Sequence, residues 1–263
     1  MAKLVWDVVG ERLFETGVEK GVLYIDDRPG VVWNGLISVT ETPSGGEAQP
    51  YYIDGFKYLN VPNPEEFEAT LEAFTYPDSF TECEGLVSPI TGLFVTNQVR
   101  KSFGLSYRTS IGNDTEGVDK GYKIHLIYNA LAEPSDRNNT TMDDSPTPQN
   151  FSWRITTLPP PVVGYQRTAH YIIDSRTTDP LALTAIEDAL YGSETLTAHL
   201  PTVEELFTIF ETNSSFVVVD NGDGTFTASG TDFEVFMSGT DEFTINAPGA
   251  DYIDAVSYTL TSA

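Results

Sequence analysis

The sequence predicts a mainly β protein: a β-sandwich or barrel with one flanking α-helix, long loops and a small all-β appendage at the C-terminal end. Three observations support this fold class. Side chains alternate with a period of two over most of the chain, which is typical of half-buried strands. The aromatic residues, 12% of the chain, fall mostly in these alternating segments. One segment carries clear helix signals at both of its ends.

The clearest strands lie between residues 103 and 131. Larger side chains alternate there with mostly polar neighbours, at Leu105, Tyr107 and Thr109 in the first strand and at Tyr122, Ile124, Leu126 and Tyr128 in the second. The connection over residues 112–121 is too long for a two-residue hairpin turn and is rich in residues that accept left-handed backbone angles. We therefore predict a projecting loop of this length.

Further strands are predicted, in chain order, at residues 17–25, 35–40, 67–76, 151–157 and 168–174. Residues 67–76 also have partial helical spacing, but strict alternation favours a strand. Between the second and third of these strands lies an excursion, residues 41–59, which contains a predicted hairpin turning at Asp54 and Gly55. Such an arm either reaches a neighbouring subunit or folds onto its own sheet, and the sequence leaves both alternatives open.

The predicted flanking helix lies near residues 180–191. Asp179 is its N-cap, Pro180 takes the first helical position, and Gly192 follows its last turn. A shorter helix is predicted from Thr202, where Thr202 and Glu205 have the spacing of a capping box. After residue 213 the pattern changes to short strands with tight turns. We therefore predict a β-sandwich domain over residues 1–213 and a small all-β extension over residues 214–263.

The charge of the chain is strongly negative, with 39 acidic and 14 basic residues and a net charge of -25. No Lys or Arg follows Arg176. Such a surface repels phosphate backbones, which excludes a protein that wraps nucleic acid. Cys83 is the only cysteine, so an intrachain disulfide is excluded. Neither a signal peptide nor an apolar run long enough for a membrane span is present, which predicts a soluble protein.

No catalytic, cofactor-binding or metal-binding residues are predicted. Residues 220–225 suggest a calcium loop, but their glycines stand at ligand positions, which favours a hairpin turn. The three histidines, His125, His170 and His199, are scattered along the sequence without metal-ligand spacing, and the first two are interpreted as sheet residues. The chain contains no nucleophile or phosphate-binding motif. Carboxylate pairs are uninformative in so acidic a chain.

Several segments of the chain are characteristic when taken together: residues 67–128, Trp33 to Leu36, Thr40 to Glu47, Phe151 to Trp153, Asp179 with Pro180, and Asp220 to Thr225. They resemble the major tail protein, or tail tube protein, of long non-contractile-tailed bacteriophages, particularly phages of actinobacteria. The block from residue 67 to residue 128 is the most specific part of this resemblance.

The resemblance implies a β-sandwich with a flanking helix that forms rings of six copies, which stack into a hollow tube for genome ejection. It also implies a virion location after assembly in the host cytoplasm, and tape measure, tail terminator and tail tip proteins as partners. DNA would pass through the lumen without specific binding, and no membrane, active site, cofactor or metal is implied. An alternative is a virion β-sandwich module that recognises a host glycan or receptor, and an acid-using hydrolase is a third.

Overall fold

The computed structural model describes residues 4–46, 48–141, 144, 148–162 and 164–212, together with the backbone of strands between residues 217 and 261. The chain divides into two compact units. The first comprises residues 1–176 and 189–200, and the second comprises residues 177–188 and 201–263. Strands account for 44% of the chain and helices for 13%, which confirms the predicted mainly β fold class. The sheets are antiparallel, and no closed barrel forms in the part of the chain that is described.

In its described residues, the first unit contains fourteen strands, one short 3₁₀ helix, Asp78–Glu82, and the last residues of a helix that ends at Tyr191. The strands are β1 Phe14–Tyr24, β2 Val31–Val32, β3 Leu36–Glu41, β4 Ser44–Gly45, β5 Ala48–Ile53, β6 Phe56–Pro62, β7 Glu65–Glu66, β8 Glu68–Ala73, β9 Val87–Ile90, β10 Leu93–Val95, β11 Phe103–Asn113, β12 Gly117–Ala132, β13 Phe151–Thr157 and β14 His170–Asp174.

Eight of these strands form the main sheet, in the order β2-β1-β11-β12-β13-β8-β3, with β14 paired to β12. The 16-residue strand β12 changes partner along its length. Residues 123–127 pair with β14, whereas residues 130–132 pair with β13. Buried side chains of β1, β8, β11, β12 and β13 belong to one hydrophobic core, as expected of a β-sandwich.

An aromatic cluster fills the centre of that core. The rings of Trp33 and Phe80 lie 4.7 Å apart between centroids, and those of Phe80 and Trp153 lie 5.2 Å apart in an edge-on arrangement. The Trp153 indole donates a hydrogen bond of 2.6 Å to buried Glu84, which is also paired with Arg137. The strands thereby bury a large aromatic area, and the Trp153 indole N–H and Glu84 Oε1 have partners. Glu84 Oε2 is buried without a hydrogen-bond partner among the described residues.

The predicted projecting loop over residues 112–121 is wrong. Strand β11 continues to Asn113 and β12 begins at Gly117, so the turn consists of residues 114–116. The Asn113 side-chain oxygen accepts hydrogen bonds from the backbone amides of Thr115 and Glu116, at 3.2 and 2.6 Å. These bonds close a tight turn from residues whose composition alone suggested a longer loop.

The predicted hairpin within the excursion is confirmed. Strands β5 and β6 pair with each other in a two-stranded sheet of their own. Asp54 and Gly55 connect them with positive φ angles of 50° and 80°, as a type I′ turn requires. Residues 87–95 form a second hairpin, in which β9 pairs with β10 in a two-stranded sheet of their own.

Both predicted helices form. Helix α1, Pro180–Tyr191, is capped by the Asp179 carboxylate, which accepts the Leu181 amide at 2.9 Å. Helix α2, Val203–Thr212, begins with the predicted capping box. The Thr202 amide donates to the Glu205 carboxylate at 2.8 Å, and the Glu205 amide donates to the Thr202 hydroxyl at 3.2 Å. Among the described helices none is long and apolar enough to cross a membrane.

Five strands follow α2 in the second unit: β15 Val217–Asp220, β16 Thr225–Ser229, β17 Glu234–Met237, β18 Phe243–Asn246 and β19 Tyr258–Thr261. They form one sheet in the order β15-β16-β19 and another from β17 and β18. The predicted domain boundary after residue 213 and the predicted turn within residues 220–225 fall largely outside the described residues. The boundary stays a prediction.

Candidate functional site

The hairpin β5–β6 exposes many large apolar side chains. Every residue of both strands is exposed. Phe56 and Tyr58, at the start of β6, keep 78% and 73% of their surface accessible. The other large apolar residues of the hairpin that remain exposed are Tyr51, Tyr52, Ile53, Leu59 and Val61. Exposed apolar patches of this kind mark interaction surfaces.

Two more segments of the first unit expose apolar side chains. All residues of the hairpin β9–β10 are exposed, including Ile90 and Phe94. Near the N-terminus, Leu4, Val5 and Trp6 are 74% to 75% exposed. The main sheet also ends in two strands, β2 and β3, that each pair on one side only within the described residues. Unpaired strand edges are templates for pairing with another chain.

A separate feature of the first unit is a group of three polar side chains: Glu41 at the end of β3, His125 in β12 and His170 at the start of β14. His125 Nδ1 lies 3.1 Å from His170 Nε2. Glu41 Oε1 lies 3.6 Å from His125 Nδ1 and 3.8 Å from His170 Nε2. We call these residues the Glu-His-His cluster. One carboxylate and two imidazoles at these distances are a donor set that divalent transition metals use.

Neighbouring residues hold each member of the cluster in place. The Tyr107 hydroxyl donates to Glu41 Oε1 at 3.0 Å, and the Tyr107 ring stacks on the His125 ring with centroids 4.5 Å apart. Phe67 packs against the His170 ring at the same centroid distance. The second nitrogen of His125, Nε2, lies 3.2 Å from the Thr109 hydroxyl. The side chains are therefore oriented by packing and by hydrogen bonds.

Burial favours the neutral form of both imidazoles. Burial lowers the pKa of His125 to about 4, and the neighbouring His170 adds to that shift. Burial likewise lowers the pKa of His170. The carboxylates Glu41 and Glu15 act in the opposite direction on the pKa of His125 but are partly exposed. Desolvation outweighs them because both rings are almost entirely enclosed.

His170 also lines a cleft of about 730 Å³. Its other walls include Phe67, Asn63, Gln166 and Arg167. The mixture of an aromatic ring, amides and a guanidinium suits a small polar molecule. The cleft thereby connects one member of the Glu-His-His cluster to the surface.

His125 and His170 were interpreted as sheet residues and lie in strands β12 and β14, but their sequence spacing did not indicate that they meet. In the pairing of β12 with β14, His125 lies opposite Ile172 and His170 opposite Ile127. The two histidines are therefore diagonal neighbours on one face of the sheet. Their proximity could be recognised only from the register in which β12 pairs with β14. His199, in contrast, is outside the cluster, and its Nδ1 lies 3.0 Å from the Thr197 carbonyl oxygen.

No protein-family model matches the sequence, and no curated protein matches it significantly. Among solved structures, the chain is similar to one chain of an extracellular contractile injection system, described as a cryo-EM structure of the PVC sheath-tube complex in its extended state. The sequence identity is 11%, the likeness covers 64% of this chain and 93% of that chain, and the TM-score is 0.29.

Proposed function

We propose that this chain is a structural subunit that assembles with copies of itself into the tail tube of a long non-contractile-tailed bacteriophage. Copies form rings of six, and the rings stack into a hollow tube through which DNA is ejected into the host. The proposal includes the tape measure, tail terminator and tail tip proteins as partners, and it assigns the chain no enzymatic activity.

The observation that carries the proposal is the hairpin β5–β6. A two-stranded hairpin without a packed face is marginal in water, yet this one presents aromatic and aliphatic side chains on both faces. Contact with another copy would bury these side chains and order the hairpin. The resemblance of the sequence to tail tube proteins supports a second copy, rather than an unrelated protein, as the partner.

The open strands of the main sheet support the same conclusion. Exposed edges promote aggregation unless they are protected or satisfied by a neighbour. In a ring of identical subunits, each edge meets the same surface of the next copy, and the assembly closes by rotation. The net charge of -25 supports passage of DNA, because a like-charged tube would not bind the phosphate backbone.

Negative-stain electron microscopy of the purified protein tests assembly. We expect rings or tubes of uniform width. Light scattering determines the mass of the assemblies. Tyr58→Ser removes an exposed ring from the hairpin and is expected to reduce tube formation severely. Tyr165→Ser is the matched control, because Tyr165 lies outside the hairpin and is 72% exposed against 73% for Tyr58.

The two variants separate the outcomes. Normal tubes from Tyr58→Ser would show that the hairpin β5–β6 does not join subunits through this side chain. Equal loss of tubes in both variants would show that the effect is not specific to the hairpin. Wild-type protein that stays monomeric at every concentration and ionic strength would contradict self-assembly.

The cleft beside His170 favours a second candidate, a virion module that recognises a host glycan or receptor. Sugar sites combine aromatic rings with amide and guanidinium groups, and Phe67, Asn63 and Arg167 supply these types. Under this alternative, the purified protein would remain a monomer and would bind in a glycan array, and Arg167→Ala would abolish that binding.

A further inference from the structure

We propose that Glu41, His125 and His170 form a binding site for one transition-metal dication, with Zn²⁺ as the preferred ion. The ligand atoms are Glu41 Oε1, His125 Nδ1 and His170 Nε2. These residues belong to three strands that are distant in the sequence, so their spacing does not indicate a metal site. This site is independent of tube assembly and would exist in each single chain.

The distances between the ligand atoms fit a tetrahedral ion. Zn²⁺ lies about 2.0–2.2 Å from nitrogen and oxygen ligands, which places neighbouring ligand atoms about 3.3–3.5 Å apart. The three observed separations, 3.1, 3.6 and 3.8 Å, bracket that range. Small side-chain movements would therefore complete the coordination, and the hydrogen bond between the two imidazoles would be replaced by bonds to the metal.

The residues around the ligands provide the support that metal-binding histidines and carboxylates usually have. Tyr107 donates a hydrogen bond to Glu41, and Thr109 lies within hydrogen-bond distance of the remaining nitrogen of His125. Thr109 itself donates to Glu15 at 2.6 Å, and Glu15 is paired with Lys123. These contacts from the Glu15 carboxylate through the Thr109 hydroxyl to the His125 imidazole orient the ring and make its other nitrogen a better metal ligand.

The site has access from solvent and space for a further ligand. The Glu41 side chain is 39% exposed, whereas the His125 side chain is 6% exposed. His170 lines the cleft. Three protein ligands leave one position of a tetrahedral ion for water or for a group that enters from the cleft.

The metal would join two strands that share no backbone pairing. Glu41 ends β3, which pairs with β8, whereas His170 begins β14, which pairs with β12. A bond through the metal would connect one end of the main sheet to the strand that branches from its centre. Because the unfolded chain cannot hold this geometry, metal binding would stabilise the folded state.

Binding is measured on the full chain after treatment with a chelator, by calorimetric titration with Zn²⁺ in excess Mg²⁺. The Mg²⁺ occupies the many surface carboxylates, which bind hard cations, while imidazole nitrogens select Zn²⁺. We expect one Zn²⁺ per chain and a higher melting temperature. We also expect Co²⁺ to give the intense visible absorption of a tetrahedral site.

Four variants test which residues bind the ion. His170→Gln is expected to abolish Zn²⁺ binding, and Glu41→Gln, an isosteric change at an exposed position, to weaken it at least about tenfold. Thr109→Val removes a supporting group and is expected to weaken binding about tenfold. His199→Gln is the matched control and is expected to bind like the wild type.

Nuclear magnetic resonance of the unaltered chain gives a readout that does not depend on a variant folding. The chain has three histidines, and Zn²⁺ is expected to shift the imidazole nitrogen resonances of His125 and His170 but leave those of His199 unchanged. Zn²⁺ binding that is lost in excess Mg²⁺, that is equal in His170→Gln and wild type, or that leaves both resonances in place would overturn the proposal.

Discussion

Two hairpins of the first unit, β11–β12 and β5–β6, have the same secondary structure but opposite surroundings. Both pair two antiparallel strands that are rich in large side chains. These alternate with polar neighbours over much of β11–β12, whereas Tyr51, Tyr52 and Ile53 follow one another directly in β5. In β11–β12, Phe103 to Tyr107 and Ile124 to Tyr128 are all buried, so both faces of the hairpin are covered. In β5–β6, every residue is exposed. The pairing of two strands therefore does not determine whether their faces are covered by the same chain.

The residues around β11 show how the second face is covered. On the core side, Leu105 and Tyr107 belong to the central hydrophobic cluster. On the opposite side, Ser106 contacts the Tyr24 hydroxyl at 3.1 Å, and Tyr24 donates to the Leu190 carbonyl at 2.8 Å. The chain segment over residues 189–200 thus supplies the cover that β5–β6 lacks. Covering by the same chain makes one hairpin part of the core, whereas the other remains available to a partner.

The largest expected difference between the buried core around β11 and the exposed hairpin β5–β6 is in thiol reactivity. Cys83 is fully buried in the core, and burial raises the pKa of its thiol to about 12, with the charge of Glu82 adding to the shift. A second thiol, placed on the hairpin by Tyr58→Cys, would be exposed. Because only the thiolate reacts and a buried thiol must first be released by opening of the fold, we expect iodoacetamide at pH 8 to alkylate position 58 at least about 100-fold faster than Cys83.

Peptide mapping by mass spectrometry follows both thiols in one sample. In denaturant both positions are expected to react at comparable rates, which serves as the control. Comparable rates in the folded protein would mean that Cys83 is accessible and that the core is open at this point.

The next largest expected difference between the two hairpins is in how much the same substitution lowers the free energy of unfolding. Leu105→Ala removes a fully buried side chain from β11 and is expected to lower the free energy of unfolding by about 2–5 kcal/mol, because a cavity replaces packed atoms. Leu59→Ala makes the same chemical change in β6, where 51% of the side chain is exposed. We expect that change to stay within about 0.5 kcal/mol.

Urea unfolding of dispersed protein, followed by tryptophan fluorescence, measures both values. A Leu59→Ala cost as large as that of Leu105→Ala would indicate that the hairpin β5–β6 packs within its own chain. It would thereby contradict the view that a second copy covers it.

A smaller effect is expected at the turns. Asn113 is buried, its side-chain oxygen accepts two turn amides, and its side-chain nitrogen donates to the Gly10 carbonyl at 3.0 Å. Asn113→Ala would leave these groups without their partner, at an expected cost of about 1–3 kcal/mol. Asn60→Ala, on the exposed strand β6, is the matched comparison and is expected to change stability by less than about 0.5 kcal/mol. Thermal unfolding of both variants measures the two costs. Equal melting temperatures would show that the Asn113 hydrogen bonds do not stabilise the turn at residues 114–116.

Much of the fold could be predicted because its signals are local. The alternation over 67–76 and 151–157 marks strands, and β8 and β13 lie there as direct partners. The caps at Asp179 and Thr202 mark helix starts, since capping depends on residues a few positions apart. The loop over 112–121 was wrong because composition does not show that Asn113 closes the turn early, while the polar residues after Gly117 continue the strand.

The Glu-His-His cluster could not be predicted for the opposite reason. Glu41, His125 and His170 each have ordinary neighbours in the sequence, and none shows metal-ligand spacing. They meet because β12 pairs with β14 in one register and because the sheet curves until the end of β3 lies beside that pair. A shift of one residue in that register would turn His170 to the other face.

The sequence by itself determined the mainly β fold class, most strands of the main sheet, the two helices and the strong negative charge, because periodicity, capping and ionisation are properties of neighbouring residues and of composition. Only the tertiary structure decided which strands became core, which hairpin stayed exposed and which side chains met at the cluster. Those outcomes depend on pairing register and on contacts between distant segments, where the free energy comes from burial that no single segment can achieve alone.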